Sequence, residues 1–248
     1  MQHAPDPAPA RRSPAADDPR GDSPKPTGRW KAFALGALAV LAIVVAVNHE
    51  QVTAIRDWFI PKRWGVVEPG RIYRSGQLSR HLVREMLQAH HIERVVDLTF
   101  DDPHDRNHAA ELDAIAELGI GRLLCPLSSD GTGDVRVYAQ AVAAVAESAR
   151  FGQPVLVHCA AGTQRTGGVV ALYRLLVQEK PPEFVFEELR QYKYDPKRSP
   201  KLLEYLNAHM GEVAEELVRE GAIPRVPSPL PQLGSEPHAR RSPAAAVR

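Results

Sequence analysis

Cys159 and Arg165 have the residue types and the spacing for chemistry on an anion. They lie in the stretch Val-Leu-Val-His-Cys-Ala-Ala-Gly-Thr-Gln-Arg-Thr at residues 155–166. An apolar run that predicts a buried strand ends just before Cys159, and a helical pattern begins near Arg165. In such a strand-to-helix turn, backbone N–H groups face inward and the positive end of the helix points the same way. Gly162 allows the backbone angle that this turn needs.

The predicted loop favours a reactive thiolate. Helix N-termini and nearby cations lower the pKa of a cysteine from about 8.5 to roughly 3.5–7.5. The planar guanidinium of Arg165 can bind two oxygens of a phosphoryl group, and the Thr166 hydroxyl can donate to the sulfur. A buried structural cysteine is the alternative, but it has no need of a glycine and an arginine at these positions. The pattern therefore indicates nucleophilic attack on a phosphate ester.

The motif His-Cys-x5-Arg-Thr-Gly resembles the signature loop of the cysteine-dependent protein tyrosine and dual-specificity phosphatases. The stretch Val-Val-Glu-Pro-Gly-Arg-Ile-Tyr-Arg-Ser-Gly-Gln at residues 66–77 is similar to the start of the compact atypical dual-specificity phosphatases. The resemblance covers about residues 66–207. Taken alone, Arg74 in this stretch has a structural role at least as readily as a catalytic one.

This resemblance, together with the residues themselves, gives each member of the loop a role. Cys159 is the nucleophile that forms a cysteinyl-phosphate, Arg165 is the phosphate clamp, and Thr166 assists departure of the sulfur. No metal or cofactor is expected. Substrate oxygens are expected to meet the backbone of Ala160, Ala161, Gly162, Thr163, Gln164 and Arg165.

The leaving oxygen needs a proton, so a carboxylic acid must reach the loop. In the resembling families this acid lies roughly thirty residues before the cysteine, which favours Asp130. Asp134 is the close competitor, although it can also cap a helix. Asp101 and Asp102 are third choices on another loop.

Two roles are possible for each of three further residues. His158 either fixes the loop by hydrogen bonding or titrates in catalysis, and the first is favoured. Gln164 either positions the hydrolytic water or faces solvent. Cys125 either forms a reversible disulfide with Cys159 or is a buried apolar residue.

The substrate is less constrained than the reaction. Relatives that act on inositol phosphates or phosphoinositides tend to carry Lys or Arg inside the loop, whereas residues 160–164 are uncharged. Phosphotyrosine or a general phosphomonoester is therefore the default substrate, with a lipid phosphate as an alternative. A module that binds phosphorylated ligands without turnover is the rival outside enzymology. A sulfur-transfer or arsenate-reducing enzyme with a similar loop is a further rival.

Composition excludes several other classes. A net charge of +1 over 248 residues argues against a general nucleic-acid binder. The chain has two cysteines and no Cys-x-x-Cys pair, which argues against a structural zinc site or a disulfide framework.

Composition also divides the chain. Residues 1–28 and 223–248 are rich in Pro and Ala and are predicted to be disordered tails. Residues 29–49 are predicted to be a transmembrane anchor, although the apolar run at 32–47 reaches only about 24 Å at ~1.5 Å per residue. Basic residues before this run favour a cytoplasmic amino end and an extracytoplasmic catalytic region. Residues 50–64 are predicted to be a juxtamembrane linker and residues 65–222 the catalytic domain.

Within residues 65–222, short apolar strands alternate with helical patterns. This alternation predicts an α/β fold in which helices flank a central, parallel-rich sheet, with the ligand at the carboxyl ends of the strands. The expected fold is that of the protein tyrosine phosphatases.

Overall fold

The computed structural model describes residues 29–47 and 56–234. The predicted tail at residues 1–28 and the end of the second tail, residues 235–248, lie outside the described residues. The chain divides into two compact units, Met1–His49 and Glu50–Arg248.

The first unit contains helix α1, Arg29–Val47, at the position of the predicted anchor. Several of its large apolar side chains are exposed, among them Phe33, Leu35 and Leu38. No helix within the described parts of the chain is both long enough and apolar enough to cross a membrane. The predicted span over residues 29–49 is therefore not confirmed. Its apolar part, about 24 Å long, falls short of a hydrocarbon core of about 30 Å.

The second unit is built on a mixed sheet of five strands. The sheet order is β1-β2-β5-β3-β4, in which the β1–β2 pair is antiparallel and the other three pairs are parallel. The prediction of a parallel-rich α/β sheet is confirmed. The strands are β1 (Gly65–Glu68), β2 (Ile72–Gly76), β3 (Arg94–Asp97), β4 (Gly121–Leu124) and β5 (Val155–Cys159).

Helices cover both faces of this sheet. Successive residues of a strand point to opposite faces, so Val95 and Leu156 join one apolar cluster while Val96 and Val157 join the other. The first cluster packs under the two helices that lie between β2 and β4, and the larger second one packs under the four helices that follow β4. The helices are α2 (Val83–Ala89), α3 (Arg106–Leu118), α4 (Val135–Phe151), α5 (Gln164–Leu172, extended by a π-helical turn at Tyr173–Val177), α6 (Pro182–Gln191) and α7 (Lys201–Arg219).

Local side-chain chemistry sets the ends of two helices. The Asp105 carboxylate accepts from the Asn107 amide at the start of α3. The Asp134 carboxylate caps α4 in the same way. Both helices end at a glycine with a left-handed backbone, Gly119 and Gly152.

Residues on both flanks of the predicted domain also belong to the fold. Trp64, expected in the linker, stacks on Tyr73 with ring centroids 5.5 Å apart. Residues 223–234, expected in the disordered tail, pack along α7. Leu233 is buried, and the Asn207 side chain both donates to its carbonyl (2.9 Å) and accepts from its amide (2.8 Å). The packed part of the chain therefore extends beyond the predicted boundary at residue 222, because a buried leucine and paired backbone groups hold the segment.

The sheet brings the carboxyl ends of its three central strands to one edge. Gly76 of β2 is in register with Cys159 of β5, and Asp97 of β3 is in register with His158. The loops that follow these strands therefore start side by side, where an α/β sheet binds its ligand.

Candidate active site

The loop between β5 and α5 is held in shape from outside. Gly162 has a φ of +75°, and a Cβ built there would lie 2.4 Å from the Gly76 amide nitrogen. Only glycine fits this position, because the loop backbone presses against the end of β2. Arg63 donates to the Ala161 carbonyl (2.7 Å), and the Gln77 amide donates to the Ala160 carbonyl (3.3 Å).

The Cys159 thiol lies at the floor of this loop and is almost fully buried. Burial by itself raises the pKa of the thiol, because a buried thiolate loses its hydration. Hydrogen bonds from the Thr166 hydroxyl and amide, the charge of Arg165 and a hydrogen bond from the Gly162 amide outweigh burial. The Gly162 nitrogen is 3.2 Å from the sulfur. The net effect is a pKa below the ordinary value, which favours the thiolate.

The Thr166 hydroxyl has two acceptors and one proton. It lies 3.4 Å from the Ser75 carbonyl oxygen, a long hydrogen bond, and it also hydrogen-bonds the Cys159 sulfur. A charged thiolate is the stronger acceptor of the two. The hydroxyl therefore donates to the sulfur when Cys159 is ionised, which is the role predicted for Thr166.

Arg165 is buried at the start of α5 and its charge lowers the pKa of Cys159. One guanidinium nitrogen, Nη1, donates to the Leu98 carbonyl at 3.2 Å. Leu98 directly follows β3, and its amide donates to the His158 carbonyl. The clamp is therefore anchored on the neighbouring strand, which places the charge of Arg165 beside the sulfur.

Arg74 is a second buried guanidinium beside the loop. Its Nη2 donates to the Gly162 carbonyl (3.0 Å), and its Cζ lies 3.7 Å from the centre of the Tyr192 ring. No carboxylate among residues 56–234 forms a salt bridge with it, and the carboxylate of nearby Glu188 is bound by Arg174. Burial lowers the pKa of Arg74 to about 10, and the Cys159 thiolate is among the charges that raise it. Arg74 therefore supplies positive charge to the loop and fixes the orientation of a peptide group.

His158 forms a buried charge cluster on the opposite side of the cysteine. Its Nε2 is 3.0 Å from a Glu111 carboxylate oxygen and 3.8 Å from one of Asp97. The contact with Glu111 is an ion pair at hydrogen-bonding distance. Burial lowers the pKa of His158, but the two carboxylates outweigh it and bring the value to about 9. His158 is therefore an imidazolium at neutral pH, fixed by charge and not poised to titrate.

Asp97, Glu111 and His158 also form a set of potential metal ligands, with one ligand atom of each within 4.8 Å of the others. Asp97 is already engaged, because Thr99 donates two hydrogen bonds to Oδ1 and Arg122 donates one to Oδ2. An imidazolium with a pKa of about 9 does not readily lose the proton that a metal must replace. The donor set therefore suits an ion-pair cluster better than a metal.

The loop that carries Asp130 lies against the cysteine loop. A Cβ built at Gly131 would lie 3.2 Å from Cβ of Gln164. The buried Tyr138 hydroxyl donates to the Gly131 carbonyl (2.5 Å), and the charges of Cys159 and Asp130 both act on the pKa of this tyrosine. The structure thus places the loop that carries Asp130 beside the loop that carries Cys159, and the role of Asp130 as the acid stays a prediction.

Asp130 is partly exposed and its pKa is lowered. The Thr132 hydroxyl donates to its Oδ1 (2.8 Å), the Thr132 amide donates to the same oxygen (3.1 Å), and Lys201 donates to Oδ2 (3.2 Å). The hydroxyl hydrogen bond is the largest cause of the lowered pKa. The competitor Asp134 uses its carboxylate to cap α4, where it accepts from the Arg136 amide at 2.7 Å.

The other predicted candidates have partners of their own. Asp101 pairs with Arg122 (2.8 Å) and His108 (3.1 Å), and Asp102 accepts from the amide of residue 104. The Gln164 amide group donates to the Ser199 hydroxyl (3.2 Å), which ties the loop to the segment before α7.

Cys125 and Cys159 are both free thiols in the structure. Cys125 lies in the larger apolar cluster beside β3, and its amide donates to the Asp97 carbonyl. Burial, assisted by the Asp97 charge, raises the pKa of Cys125 to about 11. Cys125 is therefore mostly protonated at neutral pH and a poor nucleophile for disulfide exchange.

Sequence reasoning assigned no role to Glu111, Arg63 or Tyr138. The sequence pattern could have indicated a buried ion pair at Glu111. This residue lies on the apolar face of α3 with Ala114 and Ile115, where a charge is costly unless it is paired. Arg63 and Tyr138 gave none, because their roles depend on contacts with distant loops.

Comparisons with known proteins agree with this site. The sequence model of a family described as "Swiss Army Knife protein, DSP-PTPase phosphatase domain" matches residues 61–212. The fold is similar to that of P. aeruginosa TpbA, at 22% identity over 64% of this chain and 91% of that one, with a TM-score of 0.51. It is also similar to the catalytic core of S. cerevisiae SIW14, described as a PP-IP phosphatase, at 19% identity over 69% and 97%, with a TM-score of 0.51.

A third solved structure, a putative phosphatase from Shewanella putrefaciens, is 20% identical over 65% of this chain and 95% of that one, with a TM-score of 0.52. No curated protein matches the sequence. Fold, loop and buried cysteine together define a cysteine-dependent phosphatase. The chain belongs to the DSP-PTPase family whose model spans residues 61–212, an atypical dual-specificity phosphatase-like family, and it is a phosphoric monoester hydrolase.

Replacing Gly162 with alanine is expected to lower kcat by about 10²-fold, the effect of a displacement near 1 Å at a reacting group. The new Cβ would meet the end of β2 and push the loop away from the sulfur. Gly70→Ala is the matched control, because Gly70 has a similar φ of +72° but open space around it. Steady-state hydrolysis of an aryl phosphate measures the effect, and equal losses in both variants would contradict a role for the close contact.

Replacing Arg74 with methionine is expected to raise the pKa of Cys159, because a buried positive charge beside the loop is lost. The rate of alkylation by iodoacetamide, measured against pH, should shift to higher pH. Arg174→Met is the control, since Arg174 is also buried but is neutralised by Glu188. An unchanged alkylation profile in a folded Arg74→Met protein would show that Arg74 is only structural.

Proposed function

We propose that this phosphatase hydrolyses phosphomonoesters, with phosphotyrosine as the default substrate class, through a cysteinyl-phosphate at Cys159. The observation that carries the proposal is a buried thiol whose pKa is lowered by Thr166, Arg165 and Gly162 despite burial. The Thr166 hydroxyl, the Thr166 amide and the Gly162 amide all donate to its sulfur. A cysteine with only a packing role does not need these three donors. The same donors and charges suit a phosphate dianion above the sulfur.

In the first step, the Cys159 thiolate attacks phosphorus as the bond to the leaving oxygen breaks. Arg165 and the loop amides bind the remaining phosphoryl oxygens, and Asp130 gives its proton to the leaving oxygen. An S–P bond has then replaced the P–O bond, and Asp130 is a carboxylate.

In the second step, Asp130 takes a proton from water, and that water attacks phosphorus. The S–P bond breaks and inorganic phosphate leaves. The thiolate that departs is received by the Thr166 hydroxyl and the Gly162 amide, which already donate to the sulfur. Thr166 therefore assists the step in which the sulfur is the leaving group.

The charge of the loop distinguishes two classes of substrate, a polyphosphate and a phosphate monoester with one phosphoryl group. Residues 160–164 carry no charged side chain, so a polyphosphate headgroup would find few cations inside the loop. SIW14 is described as a PP-IP phosphatase, and its fold is shared by this chain. Arg63 and Lys62 lie behind the loop, where Arg63 already donates to Ala161. A phosphate monoester with one phosphoryl group is thus the better fit, and a lipid phosphate with one phosphoryl group belongs to that class.

Membrane association through residues 32–47 is the remaining part of the proposal, and its support is the run of exposed apolar side chains on α1. The side of the membrane on which the catalytic unit lies stays a prediction from the sequence. Protease accessibility on intact cells tests it.

Cys159→Ser is expected to abolish release of phosphate from an aryl phosphate, because the S–P intermediate cannot form. Asp130→Asn is expected to lower kcat by about 10²–10⁴-fold, with a larger loss for poorer leaving groups. Asp134→Asn is the matched control, and it should leave the dependence on the leaving group unchanged.

Absence of wild-type turnover between about pH 5 and 7 would favour a non-catalytic binder. An unchanged rate in Asp130→Asn would favour the sulfur-transfer or arsenate-reducing rivals.

Thr132→Val is expected to extend activity to higher pH. Asp130 must be protonated in the first step, so kcat/KM falls as pH rises through the pKa of this carboxyl group. The Thr132 hydroxyl lowers that pKa, and its removal raises it and moves the descending limb of the pH profile upward. The pH profile of aryl phosphate hydrolysis measures the shift. In an Asp130→Asn background, Thr132→Val should have no effect, and a shift there would contradict the assignment of Asp130.

A further inference from the structure

Three consecutive large apolar side chains are exposed just before the segment that contacts the catalytic loop. Trp58, Phe59 and Ile60 are 45%, 74% and 55% exposed. Single exposed apolar residues, such as Phe151, are ordinary on a protein surface, but a contiguous group marks an interaction surface. We call Trp58, Phe59 and Ile60 the interfacial patch.

The interfacial patch is joined directly to the active site. The carbonyl of Lys62, two residues after it, accepts a hydrogen bond from the Gly76 amide at 2.7 Å. Arg63 donates to the carbonyl of Ala161 in the cysteine loop at 2.7 Å. A surface that binds the interfacial patch therefore lies close to the cysteine loop and its phosphate site.

Basic side chains surround the interfacial patch. Arg56 is exposed before it, and Lys62 follows it and remains partly exposed. The Trp58 ring packs against His81, with centroids 4.9 Å apart, and this histidine accepts from exposed Arg80. Asp57 is the acidic neighbour, and it is neutralised by ion pairs with Arg56 and Lys62. An aromatic and aliphatic group within a basic rim matches the surface of an anionic bilayer.

The sequence adds a reason to prefer a lipid surface over a protein partner. Helix α1 exposes Phe33, Leu35, Leu38, Val40 and Leu41, and a helix that is apolar around its circumference requires an apolar medium. Between its end at Val47 and Trp58, the chain can extend at most about 40 Å at ~3.6 Å per residue. Any bilayer that binds α1 is thus within reach of the interfacial patch.

We propose that Trp58, Phe59 and Ile60 insert into the headgroup region of an anionic bilayer and hold the catalytic unit against it. The consequence for catalysis rests on the proposed function: phosphate monoesters carried at the lipid surface are the substrates presented to Cys159. Insertion itself does not depend on that function.

Quenching of tryptophan fluorescence by brominated lipids tests the insertion. The full chain, with Trp30→Phe, is mixed with phosphatidylcholine vesicles with and without phosphatidylserine, each containing acyl chains brominated near the headgroup. Flotation confirms that the protein is bound. We expect quenching that is stronger with phosphatidylserine and that is lost in Trp58→Phe, because Trp64 is stacked on Tyr73 within the fold.

A double variant, Phe59→Ser with Ile60→Ser, is expected to lose the quenching of Trp58, whereas the control Phe151→Ser, an exposed phenylalanine elsewhere, should retain it. Turnover of soluble aryl phosphate should be the same in both. Bound protein whose Trp58 is not quenched, as expected if α1 or a protein partner covers the interfacial patch, would overturn the proposal. Quenching without any aryl phosphate turnover would instead overturn the proposed function and leave the insertion standing.

Discussion

A negative charge held in a nearly dry site is the constraint on which the rest of the catalytic unit depends. A buried thiolate is unstable unless nearby dipoles and cations replace the water it has lost. Here the donors come from Gly162 and Thr166, and Arg165 supplies positive charge. Every element around the loop serves to hold these groups at the sulfur, because small displacements would leave the charge uncompensated.

The buried charges around Cys159 form two separate groups. Arg74 lies in the middle of β2 and contacts the loop through the Gly162 carbonyl. His158 lies on β5 and is neutralised by Glu111 and Asp97, so its charge is fixed within the protein. Arg74 has no such carboxylate among residues 56–234, and its positive charge is matched when the loop holds a thiolate or a phosphate. The two cations therefore have different roles: His158 stabilises the buried carboxylates beside β5, and Arg74 stabilises the anion site.

The proposed acid is regulated by local contacts more than by burial. Asp130 is partly exposed, yet hydrogen bonds from Thr132 and Lys201 lower its pKa. The loop that carries it is fixed by the Tyr138 hydroxyl, which reaches from α4 to the Gly131 carbonyl. The position of Asp130 thus depends on the packing of α4, while the pKa of its carboxyl group depends on the turn from Asp130 to Thr132.

The sequence by itself determined the α/β class, the parallel-rich sheet and the cysteine loop, because strand and helix periodicities and a short turn are local properties. It also favoured Asp130 over Asp134 as the acid, which stays a prediction; the structure shows that the Asp134 carboxylate caps α4. Only the tertiary structure decided the burial of Arg74, the partnership of Glu111 with His158, and the packing of Leu233 on α7. These depend on which distant segments meet, since the energy of a charge or an apolar side chain is set by its neighbours in space. The sequence also predicted a transmembrane span at residues 29–49, which the structure does not confirm. Whether an apolar run crosses a membrane depends on its length and on the polar residues at its ends, and this run is short.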